Sequence, residues 1–272
     1  TSPMSNLFKK AAIFTDIHFG LKSNSQLHND DCLNFVKWAT AKAREEGCET
    51  ALFLGDWHNN RASINIVTLN YSLRALEHLN DNFERVYFIP GNHDFLENNT
   101  QRLDSITPVV ELLDNDHIKY LQHSGVFKDD NINWVIYSLY EHNQRPEFTK
   151  EEGKLHVGLF HGPIQGLSTD LGYEFEDAYD RLNFVDLDLL LCGDIHKRQQ
   201  FVLPNGGKAI MVGSLIQQNF GETVKHHGYG IYDIETDEYE FHDLQNENPF
   251  LHFSIKDIKD IENGEEVHVN LG

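Results

Sequence analysis

Val86-Tyr87-Phe88-Ile89-Pro90-Gly91-Asn92-His93-Asp94 is the stretch whose reading decides the fold. An apolar run of strand length ends in a Pro-Gly turn and delivers an amide and an imidazole side by side. Alone the pair is weak evidence, because turn asparagines and satisfied histidines are common. Four more stretches repeat the arrangement: Asp16-Ile17-His18, Gly55-Asp56, His161-Gly162 and Gly193-Asp194-Ile195-His196. Each follows an apolar run, so each reads as polar residues carried on the end of a strand.

Working outward, the first half of the chain alternates strand with helix. Strands are expected at residues 11–15, 50–54 and 86–89, and amphipathic helices at 34–46, with Gly47 as C-cap, and at 64–79. The second half is richer in strand, at 132–139, 155–160 and 187–191. Two hairpins follow: 199–203 with 208–212 through Pro204-Asn205-Gly206-Gly207, and 229–234 with 238–243. These elements predict an α/β fold, a two-sheet β-sandwich flanked by helices, with all five motifs on loops at one end. Residues 162–183 are rich in Gly and Asp without a clear period, and are expected to form a mobile flap beside the motifs.

Bulk properties narrow the function. The 272 residues include 40% apolar ones, enough for a substantial core. The net charge of -21 repels nucleic acid and anionic membranes overall, so a phosphate-bearing substrate has to be drawn in locally by cations or a small basic patch. Cys32, Cys48 and Cys192 are odd in number and widely spaced, which gives neither a disulfide framework nor a CxxC zinc pattern. With no apolar run of membrane-span length and no signal-peptide pattern, a cytoplasmic protein is expected. Thr1-Ser2-Pro3, ahead of Met4, is left out of the fold reading.

Aspartate, histidine and asparagine are suitable ligands for Mn²⁺, Fe²⁺ or Zn²⁺. A carboxylate can bridge two ions, and such a pair can lower the pKa of a water and clamp a phosphoryl group for in-line attack. That chemistry needs several ligands from separate strand ends and one proton donor left free. Asp16, His18, Asp56, Asn92, His161, Asp194 and His196 supply the ligands, and His93 is left over. Five such motifs in fixed order, each after a strand, are much harder to explain as turns than any one alone.

This ordered set resembles the calcineurin-like metallophosphoesterases over roughly residues 10 to 240. Within them, Asp16-x-His18-x-Gly20 and Gly213-Ser214-Leu215-Ile216-Gln217-Gln218 are similar to the SbcD-like nucleases, the nuclease subunits of double-strand-break repair complexes. Phage-encoded members are the most similar in overall character, which would place the chain in a host cytoplasm. The resemblance implies that Asp16, His18, Asp56 and His196 hold one ion and that Asp56, Asn92, His161 and Asp194 hold the other. His93 would then be the proton donor or transition-state stabiliser. The family's last motif is usually Gly-His-x-His, and Asp194 stands where its first histidine falls. A harder oxygen there favours Mn²⁺ or Mg²⁺ over Zn²⁺.

The expected activity is therefore that of a Mn²⁺-dependent DNA exonuclease and endonuclease subunit. Its expected partners are DNA, an SbcC/Rad-type ATPase and, in the full complex, a second copy of itself. The resemblance divides the chain into a nuclease domain at 5–245 and, at 246–272, the start of a C-terminal capping or DNA-binding module that looks truncated. A phosphomonoesterase or cyclic-nucleotide phosphodiesterase is one alternative, and an inactive scaffold another. Protein phosphatases of the superfamily continue Gly-Asp into Val-Asp-Arg-Gly, whereas this chain has Gly55-Asp56-Trp57-His58.

Other residues have weaker claims. His58 could contact substrate, orient His93 or be a surface turn histidine, and Asp94 could orient a histidine or the loop. Arg61, Lys197 and Arg198 could form the local basic patch, although solvated loop charge explains each of them. His226-His227 could be read as ligands, but the set is already complete. Phe35, Trp38 and Trp134 fit core faces.

Overall fold

The computed structural model describes residues 9–94, 104–110, 116–141, 145–175, 178–219, 221–246 and 248–250. In chain order these form β1 (Lys10–Phe14), α1 (Leu21–Asn24), α2 (Gln26–Glu45), β2 (Thr50–Phe53), α3 (Ile66–Asn82), β3 (Arg85–Phe88) and α4 (Thr107–Val110). Then come β4 (Ile118–Tyr120), β5 (Gly125–Asp129), β6 (Ile132–Tyr137), β7 (Leu155–His161), β8 (Leu189–Gly193), β9 (Gln199–Val202), β10 (Lys208–Met211), β11 (Gly228–Asp233) and β12 (Glu238–Asp243). The C-terminal module expected at 246–272 lies almost wholly outside the described residues.

Two mixed sheets of six strands face each other. One runs β12-β11-β1-β2-β3-β4 and the other β5-β6-β7-β8-β10-β9. β1 to β4 are mutually parallel, as are β6, β7, β8 and β10. The alternation of side chains along each strand builds the layers. Ile13, Leu52, Leu54 and Tyr87 point between the sheets, where they meet Trp134, Leu159, Leu191 and Ile210. Their neighbours Ala12, Phe14, Phe53 and Phe88 point outward onto Cys32, Val36 and Ala39 of α2 and Leu76 and Leu79 of α3.

α2 begins eight residues before the position its pattern predicts. Its first turns bury His28 and Asn29, polar residues that mask the helical period. The burial is satisfied: His28 Nε2 lies 3.0 Å from the His18 carbonyl, and Asn29 Oδ1 accepts from the Gly20 amide at 2.9 Å. Gly47, at φ 87, closes the helix in the left-handed region that glycine enters freely. Trp38, expected in the core, is 38% exposed, whereas Trp134 is buried.

Among the described residues the far face of the second sheet carries no α-helix, only a 3-10 turn at Arg181–Asn183. Segment 162–187 covers it, seating Ile164, Leu167, Phe184 and Leu187 against Val135, Phe160 and Leu190. Bridges between Ile164 and Tyr179 and between Ser168 and Glu174 fold the segment onto itself. It is thus a packed layer with a hydrogen-bonded tip. All three cysteines are free and buried.

Candidate metal centre

Parallel strands end at a common edge, and that edge gathers the motifs. Asp16 follows β1, Asp56 follows β2, Asn92 follows β3, His161 ends β7, and Asp194 and His196 follow β8. The first two loops continue the strand pairing: Ile17 and His18 amides donate to the Asp56 carbonyl at 3.2 and 3.1 Å, and Phe19 N donates to Trp57 O at 2.8 Å. Asp16, His18, Asp56 and Asp194 all take positive φ (53, 54, 60 and 96°), a conformation costly for residues with a Cβ. The surrounding structure holds four metal-capable side chains in a backbone shape that turns them inward.

Two glycines permit the approach. A Cβ on Gly91 would fall 2.1 Å from the Asp56 amide and 2.3 Å from its carboxylate; one on Gly193 would fall 2.5 Å from the Leu54 carbonyl. Asp94 fastens the same loops from beneath. Its Oδ2 accepts the amides of Asp56, Trp57 and Gly91 at 2.8, 3.2 and 3.2 Å, and its Oδ1 accepts that of His58 at 2.8 Å. The loop-orienting role expected of Asp94 is the one this geometry fits.

The ligand-capable atoms form three overlapping groups, each with its members within 4.8 Å of one another: Asp16, His18 and His196; His18, Asp56 and His93; Asp16, Asp56 and His161. His161 Nε2 lies 3.2 Å from Asp56 Oδ2, 3.1 Å from Asn92 Oδ1 and 3.6 Å from Asp194 Oδ1. Its Nδ1 donates to the Leu54 carbonyl at 2.6 Å, since a carbonyl can only accept, which directs Nε2 into the cluster. His196 is built the same way, with Nδ1 2.9 Å from Glu222 Oε2 and Nε2 3.6 Å from Asp16 Oδ1. His93 Nδ1 meets the Asn59 carbonyl at 2.8 Å, leaving Nε2 as its other nitrogen. Asp16, His18, Asp56 and His161 form a buried floor; His93, Asp194 and His196 are partly open, and Asn92 is exposed at the rim.

The electrostatics call for cations. Burial opposes ionisation of Asp16 and Asp56, yet His18 and His196 beside the first, and His161 beside the second, hold both carboxyls below the usual range. Burial likewise opposes charge on His161 and His196, yet Asp56 and Asp16 raise both imidazoles well above the ordinary value. Burial, aided by Asp16 and Asp56, pushes Asp194 up to about 6. Asp16 Oδ1 and both ring nitrogens of His18 are buried with no hydrogen-bond partner among the described residues. Buried polar atoms without a hydrogen bond are costly, and oxygen and imidazole donors so arranged fit divalent metal ions.

The remaining candidates divide. Arg61 donates to the Asn92 carbonyl at 2.7 Å, so it braces the ligand loop. Lys197 lines a cleft together with Asp194 and His196. Arg198 does not fit its phosphate-binding role: it ion-pairs with Asp243 and lies over the Phe241 ring. His58 does not fit its role either, because burial leaves Ser105 and Ser72 bonded to its ring nitrogens at 2.9 and 2.7 Å. His227 is buried against Ser214 and the Thr223 carbonyl. Glu222 escaped the sequence reading, since it belongs to no motif and lies 26 positions from the histidine it holds.

Carboxylates and imidazoles gathered at the strand ends of a two-sheet sandwich define a metallohydrolase scaffold. The chain belongs to the calcineurin-like phosphoesterases, whose family model matches residues 9–198. It is 34% identical over 158 residues to an uncharacterized protein of Acanthamoeba polyphaga mimivirus, covering 54% of this chain and 11% of that one. The chain therefore spans only 11% of the length of that curated relative. A dimetal phosphatase from Danio rerio shares the fold at TM-score 0.51 and 13% identity, over 83% of this chain and 92% of that one. A Pseudomonas putida nuclease aligns at TM-score 0.37 and 14% identity, over 82% of this chain and 84% of that one. Among the described residues no helix is long and apolar enough to cross a membrane.

Proposed function

We propose that this chain is a divalent-metal-dependent phosphodiesterase acting on DNA. The observation that carries the reading is the ligand cluster with His93 fixed beside it: His93 shares a 4.8 Å group with His18 and Asp56 while Asn59 holds its other ring nitrogen. In this reading Asp16, His18, Asp56 and His196 hold one ion, and Asp56, Asn92, His161 and Asp194 hold the second. When bound, such a pair neutralises phosphate charge and lowers the pKa of an attacking water. Asp94 holds the backbone of the Asp56 loop through its amides, and Gly91 leaves room for that loop's close approach. Nε2 of His93 donates the proton that the leaving alkoxide needs. Mn²⁺ is the preferred ion, because four of the seven ligands present oxygen.

DNA as substrate is supported by the Asp16-x-His18-x-Gly20 pattern and its likeness to the SbcD-like nucleases. With a net charge of -21, long-range steering of DNA is unfavourable, so an ATPase partner of the SbcC/Rad type supplies much of the DNA-binding surface. The test is Mn²⁺-dependent turnover of bis-p-nitrophenyl phosphate against its monoester, followed by plasmid DNA with and without the ATPase subunit. A diester preference, abolished in His93→Ala with ion binding intact, is expected. Preference for the monoester would overturn the diesterase assignment, and no turnover of either would overturn the enzyme itself.

A further inference from the structure

Beside the candidate metal centre lies a cleft of about 260 Å³ that shares Asp194 and His196 with it and is further lined by Lys197, Leu171, Tyr173 and Phe175. Nothing in the ion chemistry uses its apolar side. Leu171 and Tyr173 stand 67% and 69% exposed, unusual for large apolar side chains beside a polar centre. The backbone that presents them is tightly built. Thr169 N donates to the Tyr173 carbonyl at 3.0 Å, and Gly172 N donates to the Thr169 carbonyl at 2.9 Å. Gly172 takes φ 84, which closes the turn. Gln199 grips Ser168 through both its amide oxygen and nitrogen, at 3.3 and 2.9 Å. Asp170 accepts from the Thr223 amide at 3.2 Å, tying the tip to the loop that carries Glu222. The backbone beneath these side chains is thus held beforehand, so only their rotamers remain to be ordered on binding.

We propose that Tyr173, backed by Leu171, is a stacking platform for the nucleobase next to the scissile phosphate, with Lys197 facing the adjoining phosphate. This rests on the phosphodiesterase reading above. The cleft's volume suits one ring system, and an aromatic face accepts any base because every base has a π face. A phosphate held between the ligand loops would place its attached nucleoside toward this side, since Asp194 and His196 line both spaces.

The experiment is a cycle of steady-state measurements in Mn²⁺ on a thymidine dinucleotide and its abasic analogue, with wild type, Tyr173→Ala, Tyr173→Phe and Leu171→Ala. In wild type the missing base should raise KM roughly tenfold, the size of one lost stacking contact, with kcat little changed. Tyr173→Ala should raise KM for the dinucleotide by the same factor and erase the difference between the two substrates, while Tyr173→Phe retains it. Apart from turnover, thymidine 5′-monophosphate should shift the Tyr173 ring resonances in the NMR spectrum. Equal KM changes for both substrates in Tyr173→Ala, or none, overturn the platform and leave the phosphodiesterase standing. An inactive wild type would instead remove the phosphodiesterase reading, and the platform with it.

Discussion

His161 Nε2 faces the side-chain amide of Asn92, with Oδ1 at 3.1 Å, where the end of β7 meets the turn after β3. With Nδ1 committed to the Leu54 carbonyl, Nε2 of the neutral ring is an acceptor: the Asn92 amide satisfies it by turning its nitrogen toward Nε2 and the Asp56 carboxylate, or Oδ1 and Nε2 together face the positive charge of a metal ion. Asn92→Ala removes one of the oxygens facing that charge. Calorimetric titration with Mn²⁺ should show the weaker of two binding events reduced tenfold or more and the tighter one retained. Identical isotherms would remove Asn92 from the ligand set.

Glu222 fixes the ring of His196 as a carboxylate outside the ligand cluster, and its Oε1 accepts the Gln218 amide at 3.0 Å. Such supporting carboxylates set the imidazole tautomer, and losing one typically weakens metal affinity by roughly 10–100-fold. Glu222→Gln should therefore lower Mn²⁺ affinity within that range while the circular dichroism spectrum stays unchanged. An unaltered affinity would show that Glu222 serves the loop alone.

Asp94 accepts four backbone amides from two ligand loops. Replacing it by alanine leaves those buried donors without partners and should cost roughly 4 kcal/mol of unfolding free energy. Urea denaturation of the metal-free protein reads the loss directly. A loss under about 1 kcal/mol would mean that the loops hold their shape without it.

His58 supplies a pH test. Burial lowers its pKa to about 3, below the 6.5 of an exposed histidine. The unfolded chain therefore takes up a proton that the fold refuses, so the stabilisation is whole above pH 6.5 and is lost as the pH falls from 6.5 toward 3. In metal-free protein the wild type should lose more stability over that interval than His58→Gln does. Parallel curves would contradict the burial argument.

Much of the architecture was legible because parallel strands buried on both faces write continuous apolar runs, and each run here ends in its polar cargo. The seven ligand candidates converge for that reason. Two kinds of feature were not legible. α2 hides its first turns behind His28 and Asn29, whose partners His18 and Gly20 precede the helix and give no periodic signal. Glu222, Arg198 and segment 162–183 depend on tertiary placement: Arg198 turns to Asp243 on β12, and the expected flap anchors itself through Ile164 and Leu167. β4 and β5 escaped as well, because each is a short edge strand with only two apolar residues to mark it.

The central claim is that this edge of the sandwich holds a pair of divalent ions. Anomalous diffraction at the manganese edge from a crystal soaked in Mn²⁺ tests it most directly. Two peaks roughly 3.5–4 Å apart are predicted, with Asp56 touching both. His18 and His196 should flank one peak, and His161 and Asn92 the other. No peak within reach of these side chains would contradict the account.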